Sequence, residues 1–423
     1  MQPVDARGHE SAGATESAGV KQGGVSRLLE SNTWMRPAGV TLLVDTVGVL
    51  PVLLTGALAV QLRPDLDLNP GSLGLVYAAY FAAAALLSAP LGRLSERTGP
   101  EPALRIGTAV YVVALGGIAL VATTWQMLLG FLVVAGLGTA YSRAAGSLLV
   151  ARAVQPGRQG LAFGIKHCSI PVASLLAGLS VPAIALTLGW RWAYAAGALL
   201  SLAVIATIPR GRRRASRPST SSEEVDLAYP LLIALSIAFA MGSAAASSLG
   251  AYTVSTAVAA GMAEGPAGTL VAFGSVIGLL SRILVGHWTD HRTGNQLDVV
   301  GGMLVLGAIA FGLLALGRPA VLLFAVPFSF ATGWAWLGSF NLAMIRLNPI
   351  APGAAVGITQ TGAFVGAIVG PIALGQLAHH ISYSAAWLAA GASSLAAAAG
   401  ILFMGGFAWG GPRLERPSAS ADT

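Results

Sequence analysis

The feature that most constrains this 423-residue chain is a succession of twelve apolar stretches, each long enough to cross a bilayer. A spanning helix needs roughly 20 apolar residues, with a range of about 17–25. The stretches lie at 38–62, 71–92, 103–124, 126–150, 160–183 and 190–209, then at 229–252, 267–289, 298–317, 319–345, 353–378 and 383–409. Strands of a membrane barrel would be half as long and would alternate polar with apolar residues, which these do not. Composition agrees: 10% of residues are charged and 55% apolar, with mean hydropathy +0.73. Ordinary globular domains carry about 25% charged residues, so lipid is the main solvent. The expected fold is all-α, with twelve transmembrane helices.

Basic residues set the orientation, since they accumulate on the cytoplasmic side. With the N-terminus inside, 18 of the 24 Lys and Arg fall on inner segments. Only Arg63, Arg191 and Arg318 fall on outer loops. Both termini are therefore expected in the cytoplasm. The chain divides into a polar tail (1–37), a first six-helix unit (38–209), an Arg-rich linker (210–228), a second six-helix unit (229–409) and a short tail (410–423). The linker arginines read as a topology anchor that also suits anionic headgroups.

The net charge of +7 is too small, and too confined to inner loops, to suggest nucleic-acid binding. One cysteine, Cys168, excludes an intrachain disulfide and any cysteine-based metal cluster. No phosphate loop, nucleophile elbow or zinc protease motif occurs, so neither an enzyme nor a cofactor is expected.

The two halves repeat. Gly92 and Glu96 recur as Gly286 and Asp290 at an offset of 194, while Thr139, Pro156 and Gly164 recur as Thr332, Pro349 and Gly357 at 193. Trp192-Ala-Tyr-Ala-Ala-Gly-Ala faces Trp387-Leu-Ala-Ala-Gly-Ala. Duplicated halves suit a transporter that rocks about a central site. Between the second and third spans stands Gly92-Arg-Leu-Ser-Glu96-Arg97-Thr-Gly99, and between the eighth and ninth Gly286-His-Trp-Thr-Asp290-His-Arg292-Thr-Gly294.

Both motifs resemble the signature loop of the major facilitator superfamily, Gly-x-x-x-Asp-Arg-x-Gly followed by basic residues. The resemblance covers nearly all of 38–409 and implies two pseudo-symmetric bundles around one alternating-access cavity. It also implies an inner gate at Gly92, Glu96, Arg97, Gly286, Asp290 and Arg292. The first copy departs in having Glu96 for Asp and Pro100-Glu101-Pro102 for the basic run; the second has an extra residue before Gly294. Signatures of the drug/proton antiporter branch are incomplete. Leu132 stands where that branch has an arginine, Pro171 is followed by Val-Ala-Ser, and Gly366-Ala-Ile-Val-Gly370-Pro371 echoes its motif in the wrong half.

Four charged residues lie deep inside the spans, away from their ends: Asp45, Arg143, Lys166 and Arg282. A charge at the helix centre costs about 2.5–3.5 kcal/mol on insertion scales, so each needs a partner or a purpose. Counted from the inner markers, all four sit roughly 12–14 Å deep, near the middle of a core about 30 Å thick. Their repeat-equivalents are Phe239, Trp336, Thr359 and Ser88. None is duplicated, so they belong to a site rather than to the scaffold. Asp45 either neutralises a neighbouring cation or carries a proton. Three cations against one carboxylate favour an anionic solute, and arginine matches a carboxylate with two parallel hydrogen bonds.

Ser281-Arg282-Ile-Leu-Val-Gly286 further resembles the eighth helix of the oxalate/formate and monocarboxylate transporters, where an arginine binds the substrate carboxylate. Those exchangers also use a lysine in the eleventh helix, where this chain has Thr359-Gln360-Thr361; Lys166 is the expected substitute. Arg282, Lys166, Arg143 and Gln360 are thus candidate substrate ligands, with Asp45 the candidate proton carrier. Tyr77, Tyr80, Tyr252, Trp334 and Trp336 either line the cavity or pack. Asn341 and Ser243 either bind solute or join helices. His167 either relays protons or is a hydrogen-bonded core residue, and His379-His380 reads as structural.

The expectation is a monomeric secondary transporter of a small organic anion, monocarboxylate-like and proton-coupled, in the cytoplasmic membrane of a bacterium. The alternatives are an exporter of a neutral or amphipathic compound by proton antiport, and a non-transporting receptor on the same scaffold.

Overall fold

The computed structural model describes residues 35–154, 162, 164–210, 229–290, 295–348 and 352–410. The tails, most of the linker, Pro156, Pro349 and Arg292 lie outside the described residues.

Helices account for almost every described residue, as required where lipid offers no hydrogen bonds to an open backbone. The first half contains α1 (Met35–Ala57), α2 (Ala59–Leu66), α3 (Pro70–Leu86), α4 (Ser88–Thr98), α5 (Pro100–Val121), α6 (Trp125–Ala153), α7 (Gly164–Leu188) and α8 (Trp190–Thr207). The second contains α9 (Tyr229–Ala259), α10 (Glu264–Asp290), α11 (Gln296–Ala315), α12 (Pro319–Thr332), α13 (Trp336–Leu347), α14 (Pro352–His380) and α15 (Tyr383–Gly410). Among the described residues, ten spans are long and apolar enough to cross a membrane, with the bent pair α3–α4 an eleventh. The stretch expected as the sixth span forms α8, a helix of 18 residues.

Prolines and glycines explain where helices depart from the expected single rods. The expected span 71–92 bends by 53° between α3 and α4, because Pro90 has no N–H to give the Leu86 carbonyl. The expected loop from Gly92 to Gly99 is instead the helix α4, which runs uninterrupted to Thr98 and stops at Gly99 with φ +89°. Gly286 and Asp290 likewise belong to the end of α10. The tenth span breaks between α12 and α13 at Gly333–Ala335, and α7 has a turn at Cys168 and a π-helical turn at Val181–Ala185 around Pro182.

Small residues bring the halves together at the end of the bundles away from the motif helices. A side chain at Gly56 would strike the Gly250 carbonyl, and one at either Gly178 or Gly268 would come within 2.7 Å of the other's carbonyl. A side chain at Gly74 would strike the Pro371 carbonyl. These contacts follow the internal repeat: Gly56 and Gly250 are equivalents, and Gly74 with Pro371 repeats as Gly268 with Gly178. Lipid-facing surfaces carry the opposite character, with Leu86, Leu120, Phe324 and Phe403 each at least 70% exposed.

Candidate functional site

The four intramembrane charges come from four helices: Asp45 on α1, Arg143 on α6, Lys166 on α7 and Arg282 on α10. Packing of α7 against α1 places Lys166 Nζ 3.7 Å from the Asp45 carboxylate, both side chains being buried. Lys166 Nζ also donates to Ser147 Oγ at 2.7 Å and to the Arg143 carbonyl at 3.2 Å. The ammonium is thus held by one charge and two polar atoms, the arrangement a buried ion needs to offset desolvation. Arg143 lies within electrostatic reach of Asp45. Its side chain is half-buried, and its guanidinium has no hydrogen-bond partner among the described residues.

Arg282 stands apart from this cluster but close to it. One guanidinium nitrogen donates to the His167 carbonyl of α7 at 2.9 Å, the other to the Trp334 carbonyl in the α12–α13 break at 3.0 Å. Its neighbour Ser281 donates to the Ala331 carbonyl at 2.7 Å. Lys166, Arg143 and Arg282 all lie within electrostatic reach of His167. The four charges thus share one region between the bundles, with a formal sum of +2.

Behind Asp45 and Arg143 lies a buried hydroxyl network. Tyr80 Oη donates to the Gly48 carbonyl at 2.9 Å and pairs with Thr139 Oγ at 2.9 Å. Tyr111 Oη contacts Thr139 Oγ at 3.2 Å and Ser142 Oγ at 2.6 Å. The network spans α1, α3, α5 and α6 and ends one residue before Arg143. Sequence inspection passes over Tyr111, Thr139 and Ser142 because each resembles any polar residue within a span; only the fold aligns their hydroxyls.

The remaining candidates divide. Gln360 on α14 donates to Asn341 on α13 at 3.1 Å, both half-buried. Ser243 joins α9 to the Ala363 carbonyl of α14 at 2.9 Å. Of the aromatics weighed as cavity lining, Trp336 is fully buried and packs on Phe239 and Phe340. Tyr77 donates to the Gly250 carbonyl at 2.7 Å, and Tyr252, which also meets the Pro371 carbonyl of its own half at 2.6 Å, donates to the Pro70 carbonyl at 3.2 Å; both seal the halves together instead of lining an opening. The His167 ring makes no hydrogen bond among the described residues. The His379 and His380 rings sit edge to face at the end of α14. On the motif helix α4, Gly92 is half-buried while Glu96 and Arg97 are exposed and form no ion pair among the described residues.

Comparison with known proteins identifies the family. A model described as Major Facilitator Superfamily matches residues 47–371, taking in both halves. A chloramphenicol resistance protein of Streptomyces lividans is 28% identical over 341 residues, covering 78% of this chain and 85% of that protein. An uncharacterized MFS-type transporter of Mycobacterium tuberculosis is 27% identical over 333 residues, covering 72% of this chain and 71% of that protein. Among solved structures, a D-xylose–proton symporter superposes with a TM-score of 0.72 at 15% identity, covering 88% of this chain and 97% of that one. A bacterial homolog of the human lysosomal transporter Spinster, inward-facing and occupied, superposes at 0.67 and 15% identity, covering 89% and 96%. A multi-pass helical chain with repeated halves, intramembrane charges between them and this match across both belongs to the Major Facilitator Superfamily of transporters, and is not an enzyme.

Proposed function

We infer that the transported solute is a small organic anion, monocarboxylate-like, that Arg143 and Arg282 recognise it, and that Asp45 couples its movement to protons. The observation that carries this reading is the half-buried Arg143 guanidinium with no hydrogen-bond partner among the described residues, beside an ion pair that already engages Asp45. A cation so placed favours a carboxylate, to which its planar fork donates twice. Lys166 contributes through Asp45: when the carboxylate takes a proton, the ammonium loses its counter-ion and becomes available to the anion. Gln360 supplies a neutral donor from the opposite bundle. Glu96, Arg97, Asp290 and Arg292, with Gly92 and Gly286, form the gate at the motif end. In this reading that end faces the cytoplasm of a bacterial cell, with the protein monomeric in the inner membrane.

Thermal stabilisation of the purified protein by a panel of mono- and dicarboxylates tests the substrate class. Stabilisation is expected for at least one anion and is expected to vanish in Arg143→Ala. For coupling, Asp45→Asn in proteoliposomes should abolish uptake driven by a pH gradient while sparing counterflow exchange; driven uptake that survives would refute the role of Asp45.

The second reading is export of a neutral or amphipathic compound by proton antiport. It is favoured by the relative in Streptomyces lividans, which is named for chloramphenicol resistance. Chloramphenicol belongs in the same panel, and stabilisation by it without any by anions would select this reading.

A further inference from the structure

Arg282 donates two hydrogen bonds to backbone carbonyls, and one of these carbonyls belongs to the other half of the molecule. The reason that carbonyl accepts lies four residues onward. In an α-helix the His167 carbonyl would receive the amide hydrogen of residue 171, but residue 171 is proline and has none. The chain on either side is helical, with a turn at Cys168 (φ −71°, ψ −7°): the Cys168 amide bonds the Ile165 carbonyl at 3.0 Å, the Val172 amide bonds the Cys168 carbonyl at 3.2 Å, and the helix resumes from Ser169 to Ser180. Pro171 therefore supplies no donor at the turn where α7 breaks at Cys168, and one acceptor is left for Arg282 of α10.

The second carbonyl has a similar origin. Trp334 lies in the break between α12 and α13, just before Ala335, the N-cap of α13, so the new helix does not take up its carbonyl. A guanidinium presents donors in a fixed planar fork and reaches both acceptors at once. Other hydrogen bonds between the halves, from Tyr77 to Gly250, Gln61 to Glu264 and Ser275 to Ser174, lie toward the end away from the motif helices. The contact from Arg282 to His167 lies beside the buried charges.

We propose that Pro171 is a positioning residue, and that the acceptor it creates holds Arg282 across the bundle boundary as a latch which an arriving anion must displace. The latch stands on geometry alone; its release by an anion rests on the substrate class proposed above. Binding then loosens the tie beside the site at the moment the solute is engaged. The arginine is kept extended and its positive charge partly satisfied by two carbonyl dipoles while the site is vacant.

The sequence offers a direct probe. The chain has a single cysteine, so the dipeptide His167-Cys168 is unique. Protein labelled with carbonyl-13C histidine and 15N cysteine gives one correlated solid-state NMR signal, that of the His167 carbonyl, in the full chain in lipid bilayers. Adding 15N-guanidinium arginine should reveal dipolar contact between that carbonyl and an arginine. The contact is expected to disappear, and the carbonyl signal to move, in Arg282→Ala. Pro171→Ala restores the helical donor and is expected to abolish the arginine contact while Arg282 is still present. This second variant serves equally if Arg282→Ala does not fold. Saturating acetate, used as the anion probe, should abolish the contact in the native chain.

A carbonyl signal unmoved by Arg282→Ala, or an arginine contact that persists in Pro171→Ala, overturns the latch. A latch that responds to both substitutions but to none of the carboxylates in the panel, acetate included, leaves the latch standing and overturns the anionic substrate and its releasing role. A double-mutant cycle on thermal stability separates the hydrogen bond from any effect of straightening α7. The effect of Pro171→Ala should change when Arg282 is already alanine, whereas simple additivity would mean that Pro171 acts only by bending the helix.

Discussion

At the scale of single residues, the structure pairs Asp45 with Lys166, a contact that spacing alone does not predict. Equal depth in the membrane is legible from residue counts, because a helix converts sequence distance into height at 1.5 Å per residue. Azimuth is not legible: whether two residues at one height face each other depends on how their helices are rotated and packed. The structure turns Asp45 toward Lys166 and leaves Arg143 half-buried beside them. Breaking a buried pair by removing one partner is strongly destabilising, by about 3–5 kcal/mol, because the other charge is left uncompensated. Lys166→Met is therefore expected to lower the thermal unfolding temperature sharply. The double variant Asp45→Asn with Lys166→Met should recover most of the loss. Equal stability of the single and double variants would mean that the pair contributes nothing.

At the scale of elements, polar and helix-breaking residues decide shape more than hydropathy does. The twelve apolar stretches locate the helices well, yet hydropathy is blind to the 53° bend after Leu86 and to the break around Gly333. Both follow from local hydrogen-bond chemistry at proline and glycine, and both lie within stretches that read as continuous apolar runs. Packing inside the second half also leads to a testable contrast. Trp336 is fully buried among Phe239 and Phe340, whereas Phe403 is 70% exposed toward the lipid side. Trp336→Ala is expected to cost about 3–5 kcal/mol, as for other large-to-small core changes. Phe403→Ala should cost far less, since lipid replaces the lost contacts. Thermal unfolding of the two variants side by side measures the difference.

At the scale of the whole molecule, closure at the end away from the motif helices depends on the absence of side chains. Gly56 meets Gly250, Gly74 meets Pro371 and Gly178 meets Gly268, so three helix pairs approach backbone to backbone. Without hydrophobic driving force in lipid, such close approach is what holds helices together. Gly56→Leu places a side chain against the Gly250 carbonyl and the Tyr77 hydroxyl. It is expected to hold that end apart and to stop transport. Spin labels at Asp67→Cys and Ile381→Cys, both exposed at that end, in a Cys168→Ser background should show a wider separation than without Gly56→Leu. An unchanged separation would mean that the glycine is dispensable for closure.

The division between what composition dictates and what folding decides follows from the solvent. Lipid demands long apolar helices with satisfied backbones, so span positions, the duplicated architecture and the presence of four costly charges are all determined by the amino-acid sequence alone. Their equal depth follows as well, because a helix is a ruler. Lateral packing has no such ruler. Which helices touch, that Lys166 takes Asp45, that Arg282 takes two carbonyls made available by Pro171 and by the break at Trp334, and that Tyr77 and Tyr252 seal rather than line, all depend on rotations about helix axes. Only the tertiary structure decides those rotations, because they are fixed by close contacts between residues far apart in the chain, 52 positions for Arg282 and Trp334 and 173 for Tyr77 and Gly250.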